Sequence, residues 1–499
     1  MDNTPVRVRI APSPTGNCHV GTARTALYNY LFAKQHNGSF ILRVDDTDIR
    51  RNTPESEQGV FDGLKWIGLT WDEGPDVGGP CGLYRQSERL DIYLQYAQQL
   101  LAQDLAYECF CTPQELEVER KEQTARKEDP RYSGKCANLT PEEREERRQQ
   151  GLKPSLRLRV RKGAVAFEDI VRGHVEQDAA LMGDFVIIKS NGIPVYNYAT
   201  VIDDHDMAIS HVIRAAEHIS NTFPQVLIYE AFGWEMPHFA HLVLMLNPDK
   251  TKISKRKGAV YLGEFAELGY LPEALLNFCA FLGWNPGGED TQELLSLDEL
   301  QERFSLERCT HSNAVFDTVK LDWMNGMWIR RLAAEELTPR VLPFIIKAGH
   351  LTPQEAATPE ATAYLTALLN LIHERLPRLD AAPEILAYFY QDWQLSEVDT
   401  TSILANKSNH TPEEILRVLQ LAYELISHEP FAAHHLEEVF KQQAVALGWK
   451  LGDLLMPLRV AITNRKVSPP LFTTMELLNQ ERVLARLSLA MAGVKEAMA

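Results

Sequence analysis

Two short stretches of the 499-residue chain combine residue types that could handle phosphate. The first is Ala11-Pro-Ser13-Pro-Thr-Gly16-Asn-Cys-His19-Val-Gly21-Thr22. It lies where a strand pattern gives way to a helix pattern, and the free N–H groups and dipole at a helix start attract anions. Gly16 and Gly21 permit close backbone approach, and an imidazole at position 19 can donate to a phosphate oxygen. The second is Lys250-Thr-Lys252-Ile-Ser254-Lys255-Arg256-Lys257, with five cations in eight residues. Alone, the first could be an ordinary strand-to-helix turn and the second a solvated basic loop. Together they suit nucleotidyl transfer, in which charge builds on the α-phosphate and on departing pyrophosphate, and amides and cations can neutralise it.

Such residues need a scaffold. Val6, Val8 and Ile10 alternate with Arg7 and Arg9, which predicts a short strand. Residues 19–36 carry Val20, Ala23, Leu27, Tyr30 and Leu31 at helical steps. Residues 40–44 predict a second strand, ending in Asp45-Asp46-Thr47-Asp48. Strand, turn, helix and strand make the unit of a parallel α/β sheet. Between about 110 and 200 the pattern predicts helices over 113–127 and 141–150 and strands over 156–160 and 185–189. Asn191-Gly192 then signals a hairpin, and the whole reads as an α+β insertion. The parallel pattern resumes near Tyr198, with a strand over 207–213 and a helix over 220–232. From about residue 330 the periodicity is helical. Thr352 with Glu355, and Thr411 with Glu414, are capping boxes with proline at the first helical position, as are Thr112 with Glu115 and Thr140 with Glu143.

Composition bounds the class. With 45% hydrophobic and 24% charged residues, the chain reads as a soluble enzyme of about three domains. No apolar run reaches the ~20 residues of a membrane helix, and no leader peptide is expected. Seven cysteines in so long a chain do not make a disulfide scaffold and suit a reducing cytoplasm. Lysine and arginine number 51 against 68 acids, a net charge of −17. That excludes an indiscriminate nucleic-acid coat but leaves room for local basic patches.

Several motifs recur in a telling order: Arg9-Ile-Ala-Pro-Ser13-Pro-Thr-Gly16, His19-Val-Gly21-Thr22, Asp72-Glu-Gly-Pro-Asp-Val-Gly-Gly-Pro80, Tyr84-Arg-Gln-Ser-Glu-Arg89, Val212-Ile-Arg214, Lys252-Ile-Ser254-Lys255-Arg256 and Trp323-Met-Asn-Gly326. In this the chain resembles the class I aminoacyl-tRNA synthetases, with His19-Val-Gly21-Thr22 standing for their His-x-Gly-His and the lysine motif for their Lys-Met-Ser-Lys-Ser. More narrowly it is similar to bacterial-type glutamyl-tRNA synthetases, and the match runs over most of its length. The resemblance implies a Rossmann-type parallel-sheet catalytic domain in two halves, 1–108 and 199–248. They are separated by an α+β insertion, 109–198, that binds the acceptor end. A connecting, stem-contacting domain with the lysine loop would follow over 249–330, and an all-α anticodon-binding region over 331–499, in two subdomains.

The implied reaction joins glutamate to AMP and then passes the acyl group to the 3′ end of tRNA(Glu). The implied partners are ATP with Mg²⁺, L-glutamate and tRNA, with the chain a cytoplasmic monomer and no membrane involved. By this resemblance His19 and Lys255 are catalytic, and ATP is held by His19, Gly21, Thr22, Lys252, Ser254, Lys255 and Arg256. Glutamate brings two carboxylates and an ammonium, so two arginine forks and an acid are wanted. Arg9 and Arg214 would be the forks, Asp45 the acid where the family usually has glutamate, and Ala11, Ser13 and Tyr196 would complete the site, with His218 lining it. Some members bind zinc in the insertion through Cys-x-Cys and Cys-x-His; here Cys109, Cys111 and Cys136 keep the spacing but Asn138 replaces the histidine. Three thiolates leave a tetrahedral site open, amide oxygen is a poor fourth ligand, and Tyr132 as an ordinary phenol does not easily substitute, so reduced thiols without metal are expected. In some members an arginine in the first anticodon helix pair rejects tRNA(Gln). The stretch Tyr364-Leu-Thr-Ala-Leu-Leu-Asn-Leu-Ile-His373 has none, which implies that tRNA(Gln) is charged as well.

Overall fold

The computed structural model describes residues 5–14, 16–47, 52–253, 258–288, 291–405 and 410–499. Two compact units divide the chain: Met1–Glu267 with Pro272–Leu321, and Leu268–Leu271 with Asp322–Ala499.

The first unit opens with β1 (Arg7–Ile10), α1 (Val20–Gln35) and β2 (Ser39–Leu42). β1 and β2 pair in parallel, Arg7 opposite Ser39 through Ile10 opposite Leu42. α1 is buried around most of its circumference, with Val20, Ala23, Leu27 and Leu31 inaccessible to solvent, as befits a helix covered on both sides. Next come α2 (Pro54–Trp66), α3 (Leu90–Ala102), β3 (Ala106–Cys109), α4 (Pro113–Ala125) and α5 (Pro141–Gln149). The Thr112 and Thr140 caps form as their spacing predicts, each hydroxyl accepting the N–H three residues on at 3.2 Å. β4 (Ser155–Leu158), β5 (Ala164–Asp169), β6 (Gly173–Asp178) and β7 (Val186–Ile188) follow. The unit then continues with α6 (Tyr196–Asp206), β8 (His211–Ala215), α7 (Ile219–Phe232) and β9 (His238–Leu242).

These strands form two arrangements that matter for function. β3, β4 and β7 make an antiparallel sheet. A second sheet has the order β6-β5-β9-β8, with β8 parallel to β9, β9 parallel to β5, and β5–β6 an antiparallel hairpin. β1 lies beside β8, the Ser210 N–H donating to the Arg7 carbonyl at 2.9 Å. Tyr93, Ala97, Leu100, Val201, Ile202, Val226 and Ile228 pack into the core around these strands. Each large apolar side chain so buried contributes about 1.5–3 kcal/mol.

Two sequence expectations are corrected. Residues 207–213 do not form one strand. Met207–Ser210 is the unwinding end of α6, where the N–H groups of Met207 and Ile209 still reach back to Asp203 and Asp204 and Ala208 takes φ 51°. Met207 and Ile209 are buried in that turn, and their apolar alternation imitates a strand. The β5–β6 hairpin has no counterpart among the expected strands. Only Val165, Phe167 and Asp169 of β5 are buried, alternating with Ala164, Ala166 and Glu168, so the two faces differ little in polarity, and the partner strand β6 buries none of its residues. β5 falls within the stretch read as an insertion, yet it pairs with β9 of the parallel sheet.

In the second unit every element from Ala334 onward, among the described residues, is helical. The helix Pro412–His428 starts from the Thr411 capping box and buries Ile415, Val418, Leu419, Ala422 and Ile426, while Leu425, which shares their helical period in the sequence, is only half-buried. No helix of the described residues is long and apolar enough to cross a membrane.

Candidate active site

Four chain segments converge at the carboxyl ends of β1 and β8. They are the turn through Ala11 and Ser13, the start of α1, the start of α6 at Tyr196, and the end of β8 with the turn beyond it. With Leu244, Met245, Lys252 and Ile253 they bound a cavity of about 500 Å³. Open parallel sheets bind ligands at this edge. Of the residues expected to meet glutamate, Arg9, Ala11, Ser13, Tyr196, Arg214 and His218 line it. Of those expected to meet ATP, His19, Gly21, Thr22 and Lys252 do. Ser254, Lys255 and Arg256 lie outside the described residues. Asp45 is not in the lining.

Arg214 is only 5% exposed, and it sits inside β8, opposite His241 of β9. Its Nε donates to His241 Nε2 at 3.1 Å, and its Nη2 donates to Thr222 Oγ1 at 2.8 Å and Gln225 Oε1 at 2.7 Å. Its Nη1 is buried and has no partner among the described residues. No carboxylate hydrogen-bonds to it among the described residues, although an unpaired buried cation is costly. Arg9, 4% exposed, gives Nε and Nη2 to Asp204 at 3.0 and 3.2 Å. Each guanidinium therefore spends most of its fork on protein and has its Nη1 unclaimed among the described residues. Tyr196 holds its hydroxyl 3.3 Å from His218 Nδ1. Burial, with Arg214 and Arg9 adding to it, pushes the His218 imidazole down to about 4, so it is neutral at pH 7.

His19 is the cap of α1, its Nδ1 accepting the Gly21 N–H at 2.9 Å. Because Nδ1 is an acceptor, the ring proton of the neutral form sits on Nε2, which can donate to an anion. Burial lowers the imidazole's pKa and outweighs the pull of Glu217 and Glu264. The other early amides are spent locally: Val20 N–H on the Val260 carbonyl and Ala23 N–H on that of His19. This leaves the Thr22 N–H with no acceptor among the described residues. A methyl at Gly21 would sit 3.1 Å from His19 Nδ1, crowding the capping ring. Lys252 lies 3.7 Å from Glu217 in an exposed pair.

The chain matches the model for the catalytic domain of class I tRNA synthetases (E and Q) over residues 5–323, and that for an anticodon binding domain over 336–491. Glutamate–tRNA ligase of Symbiobacterium thermophilum is 44% identical to it, covering 97% of this chain and 99% of the relative. That of Carboxydothermus hydrogenoformans is 45% identical, covering 95% and 97%. The chain belongs to the glutamate–tRNA ligase family. A crystal structure of a glutamate tRNA ligase from Elizabethkingia meningosepticum, in complex with its amino acid, superposes with a TM-score of 0.89 at 34% identity, covering 98% of this chain and 99% of its own. As in that family, a class I catalytic domain with a parallel sheet precedes a mostly helical region with an anticodon-binding domain.

Within this ligase fold Asp45 lies behind the cavity. Its Oδ1 accepts from Arg43 Nε at 2.8 Å, and Arg43 also gives Nη1 to Asp204 at 2.7 Å. Arg9, Asp204, Arg43 and Asp45 thus form a buried chain of alternating charge. Burial pushes the Asp45 carboxyl up to about 6 against the opposing pull of Arg43. Burial would raise Asp204 too, but Arg9 and Arg43 together hold it below the ordinary range. The cavity also takes in Thr25, Glu217 and Met245. Thr25 follows Thr22 by three residues on α1, a spacing that could have flagged it; Met245 carries no signal in the sequence.

In the antiparallel sheet region the sulfur atoms of Cys109, Cys111 and Cys136 lie within 4.8 Å of one another. The Tyr132 hydroxyl stands 3.4 Å from Cys109 Sγ and 3.6 Å from Cys111 Sγ, and accepts the Cys136 N–H at 2.8 Å. The expectation of a missing fourth partner rested on Asn138. Tyr132, a phenol not expected to substitute for the missing histidine, comes from the loop before Cys136, so the cluster offers three thiols and one phenol oxygen.

Proposed function

We propose that this chain activates L-glutamate with ATP and transfers it to the 3′ end of tRNA(Glu). The observation that carries the reading is Arg214: a buried guanidinium on the cavity wall, held by neutral partners, with Nη1 lacking any acceptor among the described residues. A ligand carboxylate supplies what it lacks. Arg9 offers a second cationic nitrogen, and Ala11, Ser13, Tyr196 and His218 fill in around them. Asp45 enters only through Arg43, as a charge set back from the substrate. His19 through Nε2, the amide of Thr22, and Gly21, which leaves room beside the ring, would receive the nucleotide phosphates. Lys252, Ser254, Lys255 and Arg256 would follow the charge onto pyrophosphate. The attacking carboxylate is already ionised, so no general base is required. ATP is used with Mg²⁺ in this family, and the five-part division of the chain set out above is kept in this reading. Seven unpaired cysteines accord with a cytoplasmic site of action, and the chain is taken to be a monomer.

ATP–pyrophosphate exchange tests it. Exchange is expected with glutamate and tRNA(Glu) together, and little with glutamate alone; exchange with another amino acid at equal efficiency would sink the assignment. The helix Pro359–Ile372 carries the stretch without arginine and turns Leu365, Leu368 and Leu369 inward. Charging purified tRNA(Gln) at physiological salt is expected at a rate within about tenfold of tRNA(Glu), a gap of about 1.4 kcal/mol. A larger preference for tRNA(Glu) removes that extension.

Cys109, Cys111, Cys136 and Tyr132 would hold zinc, which would brace the insertion as a structural tie. Purified protein is expected to carry about one zinc per chain, and Tyr132→Phe to lose most of it on dialysis against a chelator. Metal-free protein with an unchanged melting curve would return the cluster to three plain thiols.

A further inference from the structure

Behind Arg214 a hydrogen-bonded line crosses three adjacent strands. Asp169 ends β5, His241 lies in β9 and Arg214 in β8. The register of the parallel sheet sets His241 directly beside Arg214 and brings Asp169 alongside β9. Asp169 Oδ2 is 2.6 Å from His241 Nδ1, and His241 Nε2 is 3.1 Å from Arg214 Nε. His241 has no exposed surface and Asp169 is 4% exposed.

The direction of each bond follows from the groups. Arg214 Nε can only donate, so His241 Nε2 must hold a lone pair. The ring proton then sits on Nδ1 and points at the Asp169 carboxylate, which can only accept. Thr222 Oγ1 is also 3.1 Å from Nε2, but it accepts from Arg214 Nη2 and lies 3.1 Å from the His218 carbonyl, to which its own proton can go. Asp169 is itself pinned, its Oδ1 accepting the N–H groups of Val171 and Arg172 and its Oδ2 that of His241. Burial, with Arg214 adding to it, outweighs the pull of Asp169 and holds the His241 imidazole below its usual range, so the neutral ring persists at pH 7.

We propose that Asp169 and His241 are positioning residues for amino-acid recognition: Asp169 fixes the His241 tautomer, and His241 fixes the plane of Arg214 so that Nη1 meets the substrate carboxylate. The proposal rests on the reading that Arg214 takes a carboxylate of glutamate. Neither residue lines the cavity, so both act through Arg214. A relay of this kind places substrate without touching it, and its loss weakens glutamate binding while leaving the nucleotide alone.

Side-chain mimicry separates this role from mere packing. His241→Asn keeps an amide N–H near Nδ1 for Asp169 and removes the acceptor under Arg214. Its KM for glutamate is expected to rise about tenfold, the worth of one lost hydrogen bond to a charged group, with KM for ATP within about twofold of the parent. His241→Gln carries an amide oxygen near Nε2 and is expected to restore KM for glutamate to within about threefold. Asp169→Asn offers a donor to Nδ1, which drives the ring proton to Nε2 and sets donor against donor at Arg214. Its KM for glutamate is expected to rise at least as much as that of His241→Asn. Melting curves of the full chain check that each variant folds. Equal KM values for the Asn and Gln variants, or glutamate and ATP constants that move together, overturn the relay. The parent enzyme is assayed first with tRNA present. Absence of glutamate-dependent exchange there topples the underlying reading, whereas exchange in the parent with an unmoved KM in His241→Asn topples the relay alone.

Discussion

An Arg214→Lys variant is expected to lose two to three orders of magnitude in kcat/KM for glutamate while its KM for ATP stays within about twofold. Truncating one member of a buried, hydrogen-bonded charge pair costs about 2–5 kcal/mol, and each 1.4 kcal/mol is about tenfold. Lysine keeps the charge but not the shape. One ammonium cannot satisfy His241, Thr222 and Gln225 and still leave a donor over for a ligand, as Arg214 does by bonding through Nε and Nη2 with Nη1 unclaimed among the described residues. Three buried acceptors lose a fixed partner, and the substrate carboxylate loses its directed one. Steady-state exchange with tRNA present measures the loss. Glutamine tried beside glutamate tells which carboxylate Arg214 holds: a narrowed preference points to the side chain, and an equal loss for both to the α-carboxylate. A variant within threefold of the parent for glutamate would mean that Arg214 holds the strand ends together and nothing more.

Much of the fold can be read from short-range chemistry. The four threonine capping boxes at 112, 140, 352 and 411 all form, because a threonine, a proline and a glutamate at fixed offsets satisfy the same orphan amides wherever they occur. The Asn191-Gly192 turn forms too, Gly192 taking φ 83° and its N–H reaching the Lys189 carbonyl at 2.9 Å. What stays hidden is pairing between distant segments. β5 is a short run with only Val165 and Phe167 as large apolar residues, and its pairing with β9, about 70 residues on, leaves no mark in its own composition. The end of α6 looks like a strand because two buried apolar residues flank a left-handed Ala208.

The site is legible to a similar depth. Arg9 and Arg214 at strand ends and His19 at a helix start are legible from residue type and position, whereas Tyr196 comes from the family resemblance alone; all four line one cavity. The partners that consume their hydrogen bonds are not legible. Both arginines look like free forks in a list of residues. In the folded chain Asp204 takes two nitrogens of Arg9, and three neutral acceptors take two of Arg214. Asp45 likewise looks like a free carboxylate until Arg43, two residues earlier, is found holding it. Such claims are settled by competition among neighbours, and competition depends on which residues the fold brings within about 3 Å.

Asp204 is where that competition has its largest energetic consequence. It bonds to Arg9 and Arg43 together, and its side chain is 3% exposed. Asp204→Asn keeps the volume and removes the charge, leaving the buried Arg9 without its carboxylate partner among the described residues and Arg43 with Asp45 and Asp203 alone. Removing one partner of a buried ion pair costs about 3–5 kcal/mol. At pH 7 the expected result is a clearly lower urea midpoint at unchanged slope, together with weaker glutamate binding as Arg9 loses its anchor. The pH dependence gives the sign. The folded-state pKa of Asp204 lies below its unfolded value of about 3.9. Its stabilisation is therefore fully present above that value and is lost as pH falls through the folded one. The gap between parent and variant should narrow steadily below about pH 4. Asp45, pushed up to about 6, works in the opposite sense: it favours the fold at low pH and loses that contribution as pH rises through about 6. Since Asp45 is present in both proteins, the narrowing gap isolates Asp204. Equal midpoints at pH 7, or a gap as wide at pH 3 as at pH 7, would show that Arg9 and Arg43 are held by something other than this carboxylate.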